Sequence, residues 1–222
     1  MKRTTFLITS VVLMVGCSKP IDEKNLVNRD GIKYKENKEI PFNGKTVSTY
    51  DNSQKKLEGS YKDGKKDGQF TFWFNNGQKL KEGTYKGGKE DGKWIYWKRN
   101  GQKKEEGTFK EGKREGLYTI WFEDGQKKEE RNYKDGKEDG LLTTWYVNGQ
   151  KMEEGTYKDG EEDGLLTTWY VNGHKSGEST YKDGKKSGLS TSWYEDGRMK
   201  SEGTFNDGKQ DGLVTDWYSN GQ

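Results

Sequence analysis

The sequence predicts an all-β protein, an elongated single-layer antiparallel β-meander of tandem hairpin repeats, on the strength of three observations. Tryptophan recurs at a constant step of 24 residues, and a period of this size marks an array of one repeated supersecondary unit. The chain contains 31 glycines and no alanine, which disfavours helices and favours strands joined by tight turns. Aromatic residues make up 13% of a chain that is only 27% hydrophobic, which favours a thin sheet over a thick core.

The first element is a predicted signal peptide at residues 1–16, which lies outside the fold. Lys2 and Arg3 form its basic start, and residues 6–15 form an apolar stretch. That stretch is too short for a helix that spans a membrane, but it has the length expected of a signal peptide. We therefore expect the protein to be exported.

The end of this segment predicts a lipid anchor. Residues 13–17 resemble a bacterial lipobox, although Met14 stands where leucine is usual. The resemblance implies cleavage before Cys17 and lipidation of that residue; the alternative is a chance cysteine at the end of a simple signal peptide. Cys17 is the only cysteine, so no intrachain disulfide can form. We expect anchoring to a bacterial membrane, and Ser18, where an acidic residue would favour the inner membrane, favours the outer membrane or the cell surface.

The charge balance argues against a nucleic-acid partner. The chain has 40 basic and 37 acidic residues, and loss of Lys2 and Arg3 with the signal peptide leaves 38 against 37. The two signs are interleaved along the chain, as on a solvated surface. A nucleic-acid binder is expected to show a basic stripe. We therefore predict no nucleic-acid binding.

The remaining elements follow in order. Residues 17–33 are expected to be a polar tether, and residues 34–60 a degenerate first repeat in which Thr49 occupies the tryptophan position; terminal repeats are commonly atypical. Residues 61–222 form seven tandem repeats of 24 residues, the last incomplete. Because Gln222 lies just past a turn, we expect an open last edge or a truncated sequence. The periodic tryptophans are Trp73, Trp97, Trp121, Trp145, Trp169, Trp193 and Trp217.

Each repeat carries two turn signals, Asn-Gly or Asp-Gly after the tryptophan and, in most repeats, Asp-Gly after the periodic tyrosine or phenylalanine. Both suit two-residue type I′ hairpins. Alternation along the strands then places the tryptophans on one face of the sheet, and tyrosine rings are expected to fill the gaps over glycines on the other. The predicted cross-strand pairs are Trp145 with Met152, Tyr157 with Glu162, and Gly155 with Gly164.

The repeated segment, as it stands between Gly155 and His174, resembles the bacterial variant of the MORN repeat, and the likeness covers residues 34–222. Arg131 and Ser179 depart from it in a glycine position. The resemblance implies a twisted sheet of successive hairpins. It also implies a scaffold role, with links to membrane phospholipid in related arrays and an antitoxin-like label in bacteria. It supplies no catalytic residues.

The sequence offers no constellation for catalysis, metal binding or a cofactor, because each polar residue recurs in equivalent surroundings. His174 is the sole histidine and is expected to be solvated beside a turn. The Asp-Gly-Lys-x-Asp-Gly segments superficially resemble calcium loops, but lysines such as Lys65 and Lys66 would repel a cation. Turn chemistry explains these segments better. We predict that the protein is not an enzyme.

The seven periodic tryptophans form the candidate binding site, an aromatic ladder. The simplest interpretation is that these rings only pack the sheet. The leading functional hypothesis is a surface that binds or scaffolds protein partners in the cell envelope. One alternative is binding of an envelope glycan or a phospholipid head group, since rings stack on sugars and attract cations. Another is an antitoxin or immunity protein that binds a toxin.

Overall fold

The computed structural model describes residues 19–220, so the predicted signal peptide and Cys17 lie outside the described residues. The described chain consists of strands and one 3-10 turn at Glu23–Asn25. Within it, no helix combines the length and the apolar character that crossing a bilayer requires. The strands are β1 Ile21–Asp22, β2 Leu26–Arg29, β3 Ile32–Lys35, β4 Gly44–Thr49, β5 Lys55–Lys62, β6 Lys65–Lys66, β7 Gly68–Trp73, β8 Lys79–Lys86, β9 Lys89–Trp97, β10 Lys103–Lys110, β11 Lys113–Trp121, β12 Lys127–Lys134, β13 Lys137–Trp145, β14 Lys151–Lys158, β15 Glu161–Trp169, β16 Lys175–Lys182, β17 Lys185–Trp193, β18 Met199–Asn206 and β19 Lys209–Asp216.

The strands from β4 onward form one continuous meander. Each pairs antiparallel with its neighbours in sequence, with β6 and β7 together forming one interrupted strand. Counted in this way, β4 to β19 are fifteen strands, and at about 4.8 Å each they span about 70 Å. The predicted antiparallel meander is confirmed.

Part of the segment expected to be a polar tether is folded against the start of the sheet. β1 pairs in parallel with β4, placing Ile21 opposite Thr46, and β2 and β3 form a separate hairpin. Leu26 is buried, and the Tyr61 hydroxyl donates to Glu23 Oε1 at 2.8 Å. The physical reason is that the first strand of an array has no preceding repeat to cover its edge and its apolar face.

The turn after each periodic tyrosine or phenylalanine is the one that the sequence predicts. At Asp159 and Gly160 both φ angles are positive, 53° and 96°, as a type I′ turn requires. Tyr157 therefore stands opposite Glu162, and Lys158 opposite Glu161. The predicted register of this hairpin end is confirmed.

The turn after each of the first six periodic tryptophans is longer than predicted. Gly149 has a φ of 82°, but Asn148 does not share its left-handed conformation. The Gly149 N–H donates to the Tyr146 carbonyl at 2.9 Å, and the Tyr146 N–H donates to the Gln150 carbonyl at 2.9 Å. These bonds close a loop of three residues, 147–149. Gly149, the last of them, takes the left-handed conformation after a tight turn, and this loop type also matches the twist of the two strands.

This longer loop changes the partner of each of these six tryptophans. Trp145 pairs with Lys151, after a register shift between Thr144 and Trp145. The predicted pairing of Trp145 with Met152 is wrong. The extra loop residue moves the partner by one position, so that a lysine stands opposite Trp145 in the strand register.

A second shift places Gly155 opposite Leu166; the predicted pairing with Gly164 is wrong. Gly164, with a φ of 113°, lies in a bulge where Thr156 Oγ1 donates to the Asp163 carbonyl. The side chain of Leu166 covers Gly155 and would overlap a β carbon there. The gap over Gly155 is therefore filled by a leucine of the neighbouring strand, whereas the expected tyrosine ring is found over Gly107, which Tyr118 covers.

These registers define two faces of the sheet. The ladder face carries the periodic tryptophans. The core face carries the side chains that cover the strand glycines, among them Phe70, Trp94, Tyr118 and Leu166. The largest buried side chains, Trp94, Phe70 and Leu142, lie on the core face, so the sheet is packed mainly on one side.

Both long margins of the ribbon are bonded from one hairpin to the next. On one margin the Tyr146 hydroxyl donates to the Trp169 carbonyl and Asn148 Nδ2 to the Val171 carbonyl, each at 2.8 Å. On the other, the Gly160 N–H donates to a carbonyl of the preceding hairpin at 2.8 Å. These bonds satisfy turn groups that the strand ladder leaves free.

Candidate functional site

The seven periodic tryptophans lie in one row on the ladder face and are all half-buried. For five of them a lysine Nζ lies over the ring, 5.4 to 5.8 Å from its centre. That distance is within the range of cation–π attraction. The pairs are Lys55 with Trp73, Lys79 with Trp97, Lys103 with Trp121, Lys151 with Trp169, and Lys175 with Trp193.

Each of these lysines bridges two repeats. Lys151 stands opposite Trp145 in the strand register, and its Nζ lies 5.7 Å from the centre of the Trp169 ring on the next strand. Its methylene stem therefore runs across the row while the charged end stays near solvent. The ladder that the sequence predicts from tryptophans alone is an alternating row of tryptophan and lysine.

A glutamate compensates the charge of these lysines. Lys79 Nζ lies 2.6 Å from Glu82 and Lys103 Nζ 2.5 Å from Glu106, and the arrangement recurs farther along the row. The glutamate in turn accepts from a buried threonine, as Glu178 does from Thr167 at 3.4 Å. Such a row is locally neutral, so its lysines do not form a free basic stripe.

Beside this row runs an apolar stripe that the sequence analysis missed. Each leucine in the stripe faces away from the core face, since the next residue along its strand lies on the core face. Four of them are about half exposed and the last is 84% exposed. The same 24-residue period could have identified them. The leucine stripe consists of Leu117, Leu141, Leu165, Leu189 and Leu213.

The stripe is confined to the later repeats. The equivalent positions in the first two repeats are Gln69 and Lys93. Between neighbouring leucines stands a polar residue of the intervening strand, for example Thr156 between Leu141 and Leu165. Neighbouring leucines are two strands apart, about 10 Å, so the five together extend for about 40 Å.

The core face holds the titratable groups whose pKa values shift most. Burial, reinforced by Glu90, raises the pKa of Tyr85 to about 12. Burial would raise the pKa of Glu105, but hydrogen bonds from Tyr118 and Lys104 outweigh it and hold that pKa below its usual value. Burial and the neighbouring Glu153 raise the pKa of Glu162. Shifts of this kind accompany ion-pair networks as well as functional sites.

The other residues singled out by the sequence have structural positions. His174 is exposed beside its turn, where its N–H donates to Asn172 Oδ1 at 3.0 Å and its Nδ1 lies 2.9 Å from the Glu195 carbonyl. Over residues 19–220, no group of three or more histidine, cysteine, aspartate or glutamate side chains could hold a metal ion. Cys17 lies outside the described residues.

Comparison with known families gives a match within the array. Five segments match the MORN repeat variant, at residues 66–86, 90–111, 114–135, 138–159 and 186–207. The repeat between the last two segments carries Ser179 in the glycine position of the motif. No curated protein matches the chain.

Proposed function

Because five repeats of this chain match the MORN repeat variant, we propose that the protein is a non-enzymatic scaffold that binds a protein partner. We further propose that it is exported and held in the cell envelope by a lipid on Cys17. MORN repeats support the binding or scaffold role. The basic start, the apolar stretch and the lone cysteine of the first 17 residues support the anchor.

The observation that carries the binding role is the leucine stripe. A polar residue separates neighbouring leucines, but a soluble surface rarely exposes apolar side chains in a regular row, and exposed apolar surface that is not singly scattered marks interaction sites. The stripe is rigid, since every leucine is fixed on a strand, and the first four have a buried threonine two positions farther along, such as Thr143 or Thr167. A partner can therefore bury these side chains without ordering a loop, which lowers the entropic cost of binding.

A photo-crosslinking experiment tests this role. A photoreactive residue is placed at Leu165 in the stripe or, as the matched control, at Lys93, which has the equivalent position in an early repeat. We expect Leu165 to capture one dominant protein from envelope extract and Lys93 to capture none. Changing Leu141 to Glu should abolish that capture, whereas Gln69→Glu should not. Identical capture from both positions would show that the stripe does not recognise a partner.

A second candidate function rests on the alternating lysine and tryptophan row. Its rings and ammonium groups could together contact an envelope glycan or the phosphate of a phospholipid head group. The test is sedimentation with purified cell-wall polymer and with phospholipid vesicles. If this function holds, Trp145→Leu with Trp169→Leu should abolish binding; unchanged binding would exclude it.

The anchor is tested separately. Metabolic labelling with a fatty acid should mark the wild-type chain and not the Cys17→Ser variant, which should leave the membrane fraction. Labelling that survives the substitution would place the lipid elsewhere. Because residues 19–220 are unchanged in this variant, its failure would leave the binding role intact.

A further inference from the structure

The core face carries a column of two charged positions per repeat. The charges at these two positions are balanced in a different way in each repeat. Lys81 Nζ lies 3.2 Å from Glu90 Oε1. One repeat later, Glu105 and Arg114 occupy these positions, and the Arg114 guanidinium lies 4.1 Å from the centre of the Tyr118 ring. In both repeats an acid and a base face each other on the same side of the sheet.

The next repeat has two acids at these positions, and an arginine from the glycine position neutralises both. Arg131 Nη1 donates to Glu138. Its Nε lies 3.0 Å from Glu129 Oε1, outside hydrogen-bond geometry, so this second contact is an ion pair. Burial would lower the pKa of Arg131, but Glu138 and Glu129 outweigh it and raise it. The guanidinium is thus held between two carboxylates.

One repeat farther, the two acids recur and the arginine does not. Glu153 and Glu162 are the equivalents of Glu129 and Glu138, and Gly155 stands where Arg131 stood. Within residues 19–220 neither glutamate has an ion-pair or hydrogen-bond partner for its carboxylate. The two carboxylates are left to repel each other on a half-buried surface, which is costly.

Two cations act on this site without pairing with either glutamate. Lys186 lowers the pKa of Glu162 against the two larger effects, while its Nζ donates to Ser190 Oγ at 3.3 Å and lies 5.4 Å from the centre of the Phe205 ring. Arg131 lowers the pKa of Tyr157 but donates to Glu138. Tyr157 and Tyr181 flank the pair, and the negative charge of the two glutamates contributes to the raised pKa of each tyrosine. Burial and then Glu153 raise the pKa of Tyr157 to about 12. For Tyr181, burial and then Glu162 raise the pKa.

We propose that Glu153 and Glu162 form a receptor for the guanidinium group of an arginine side chain presented by a protein partner. Arg131, held by the equivalent glutamates of the preceding repeat, shows the geometry of the bound state within the same chain. The proposal extends the binding role to a second surface, on the opposite face from the leucine stripe.

Arginine fits this site better than lysine for two reasons. Its planar fork can donate to two carboxylates at once, whereas an ammonium acts as a point charge. Its flat face can also lie against the neighbouring tyrosine rings, as Arg114 lies against Tyr118. Gly155 places no side chain of its own between the two glutamates, and the half-exposed side chain of Leu166, which covers Gly155, supplies an apolar wall.

An NMR titration of the folded chain with N-acetyl-L-arginine amide tests the proposal. We expect saturable shifts of the Gly155 amide and the Leu166 methyls, with a dissociation constant in the millimolar range. The neutral citrulline analogue should give no saturation, and the lysine analogue should bind more weakly. Equal shifts with citrulline, or no saturation with arginine, would overturn the proposal.

Variants locate the site. Glu162→Gln and Glu153→Gln should each weaken binding by about tenfold, the loss expected for one charge-assisted hydrogen bond. Gly155→Arg should fill the site from within and abolish binding. The backbone permits it because the clashing atom is the mobile end of Leu166. Arg131→Gly should vacate the preceding site and create a second one. If Gly155→Arg still binds the probe, the receptor lies elsewhere.

These results do not depend on the leucine stripe. If arginine fails to bind while Leu165 still captures a partner, the scaffold role stands and the arginine receptor is rejected. If arginine binds and the stripe captures no partner, the reverse holds. Far-UV circular dichroism of each variant confirms that the array is folded.

Discussion

From Phe42 to Tyr118 the core face is a continuous row of rings, whereas beyond Leu142 the same positions carry leucine, serine and valine. In the first region Phe70 and Tyr85 meet edge to face at 5.1 Å, and Tyr85 and Trp94 at 4.8 Å. In the second, Leu166 covers Gly155 and the smaller Val214 covers Gly203, and the repeat between them has Ser179 in the glycine position. The backbone meander nevertheless continues with the same pairing.

This difference shows that the repeat fold needs little from the core face once the array has begun. The early repeats bury aromatic rings. Because each repeat is hydrogen-bonded to its neighbours, the early repeats also stabilise the later ones through the interfaces between repeats. The later repeats are then free to expose leucines on one face and unpaired carboxylates on the other. The buried rings are therefore concentrated in the early repeats, and the proposed binding surfaces lie in the later ones.

The largest expected effect is the loss of a buried ring. Trp94 is fully buried, and its Nε1 donates to the Thr84 carbonyl at 3.1 Å. We expect Trp94→Ala to lower the free energy of unfolding by about 3–5 kcal/mol. Leu166, three repeats later at the equivalent position, is half-exposed, and Leu166→Ala should cost about 1–2 kcal/mol. Urea unfolding followed by circular dichroism measures both, and equal costs would contradict the comparison.

The glycines beneath these side chains should differ in the same direction. A β carbon at Gly83 would overlap the ring of Trp94, which is packed on all sides, whereas at Gly155 it would meet only the end of Leu166. We expect Gly83→Ala to cost about 1–3 kcal/mol through overpacking, and Gly155→Ala to change stability by less than about 0.5 kcal/mol. Melting temperatures of the two variants provide the check. A larger loss at Gly155 would mean that Leu166 is as immobile as Trp94.

The two regions should respond oppositely to pH. The folded-state pKa of Glu105 lies below its ordinary value of 4.5, so Glu105 adds stability above that pH, and the contribution is lost as pH falls through the folded pKa. The pKa of Glu162 is raised above 4.5, so folding loses stability as pH rises from 4.5 through the raised value. At pH 7, Glu105→Gln should destabilise and Glu162→Gln should stabilise, each by less than about 1 kcal/mol because both side chains are partly solvated.

Unfolding measured at pH 7 and at pH 3 tests this sign reversal. At pH 3 the raised group is protonated in both states, so Glu162→Gln should match the wild type there. Destabilisation by Glu162→Gln at pH 7 would show that this carboxylate has a favourable partner in the folded chain.

The smallest effect should be the same in both regions, since the lysine–tryptophan contacts of the ladder recur in both. Lys79→Met and Lys175→Met each remove an ion pair and a cation–π contact. Methionine fits this position, because Met199 already stands opposite Trp193. We expect about 0.3–1 kcal/mol for each, equal within error and smaller at high salt. Unfolding at low and high ionic strength measures both, and a clear difference would mean that the ladder is not uniform.

The sequence predicts the repeat, the meander and the face of the tryptophans, because period and alternation are properties of the chain alone. It does not predict the partner of Trp145, since Asn-Gly serves both a two-residue and a three-residue loop, and one residue decides the register. The sequence also does not predict the unpaired glutamates, because their proximity depends on the same strand register. Glu153 and Glu162 are nine positions apart, and only the true register shows that Arg131 has no counterpart between them.

The hydrogen bonds that join successive hairpins along both margins have a mechanical consequence. If the two ends of the chain are pulled apart, the load falls on the outermost hairpin, whose bonds open one after another as in a zipper. Each repeat that peels away should release about 80 Å of chain, so a force trace should show a low, evenly spaced sawtooth. Rupture of early repeats should require more force than rupture of late ones. The number of unfolded repeats would then report the tension on the chain.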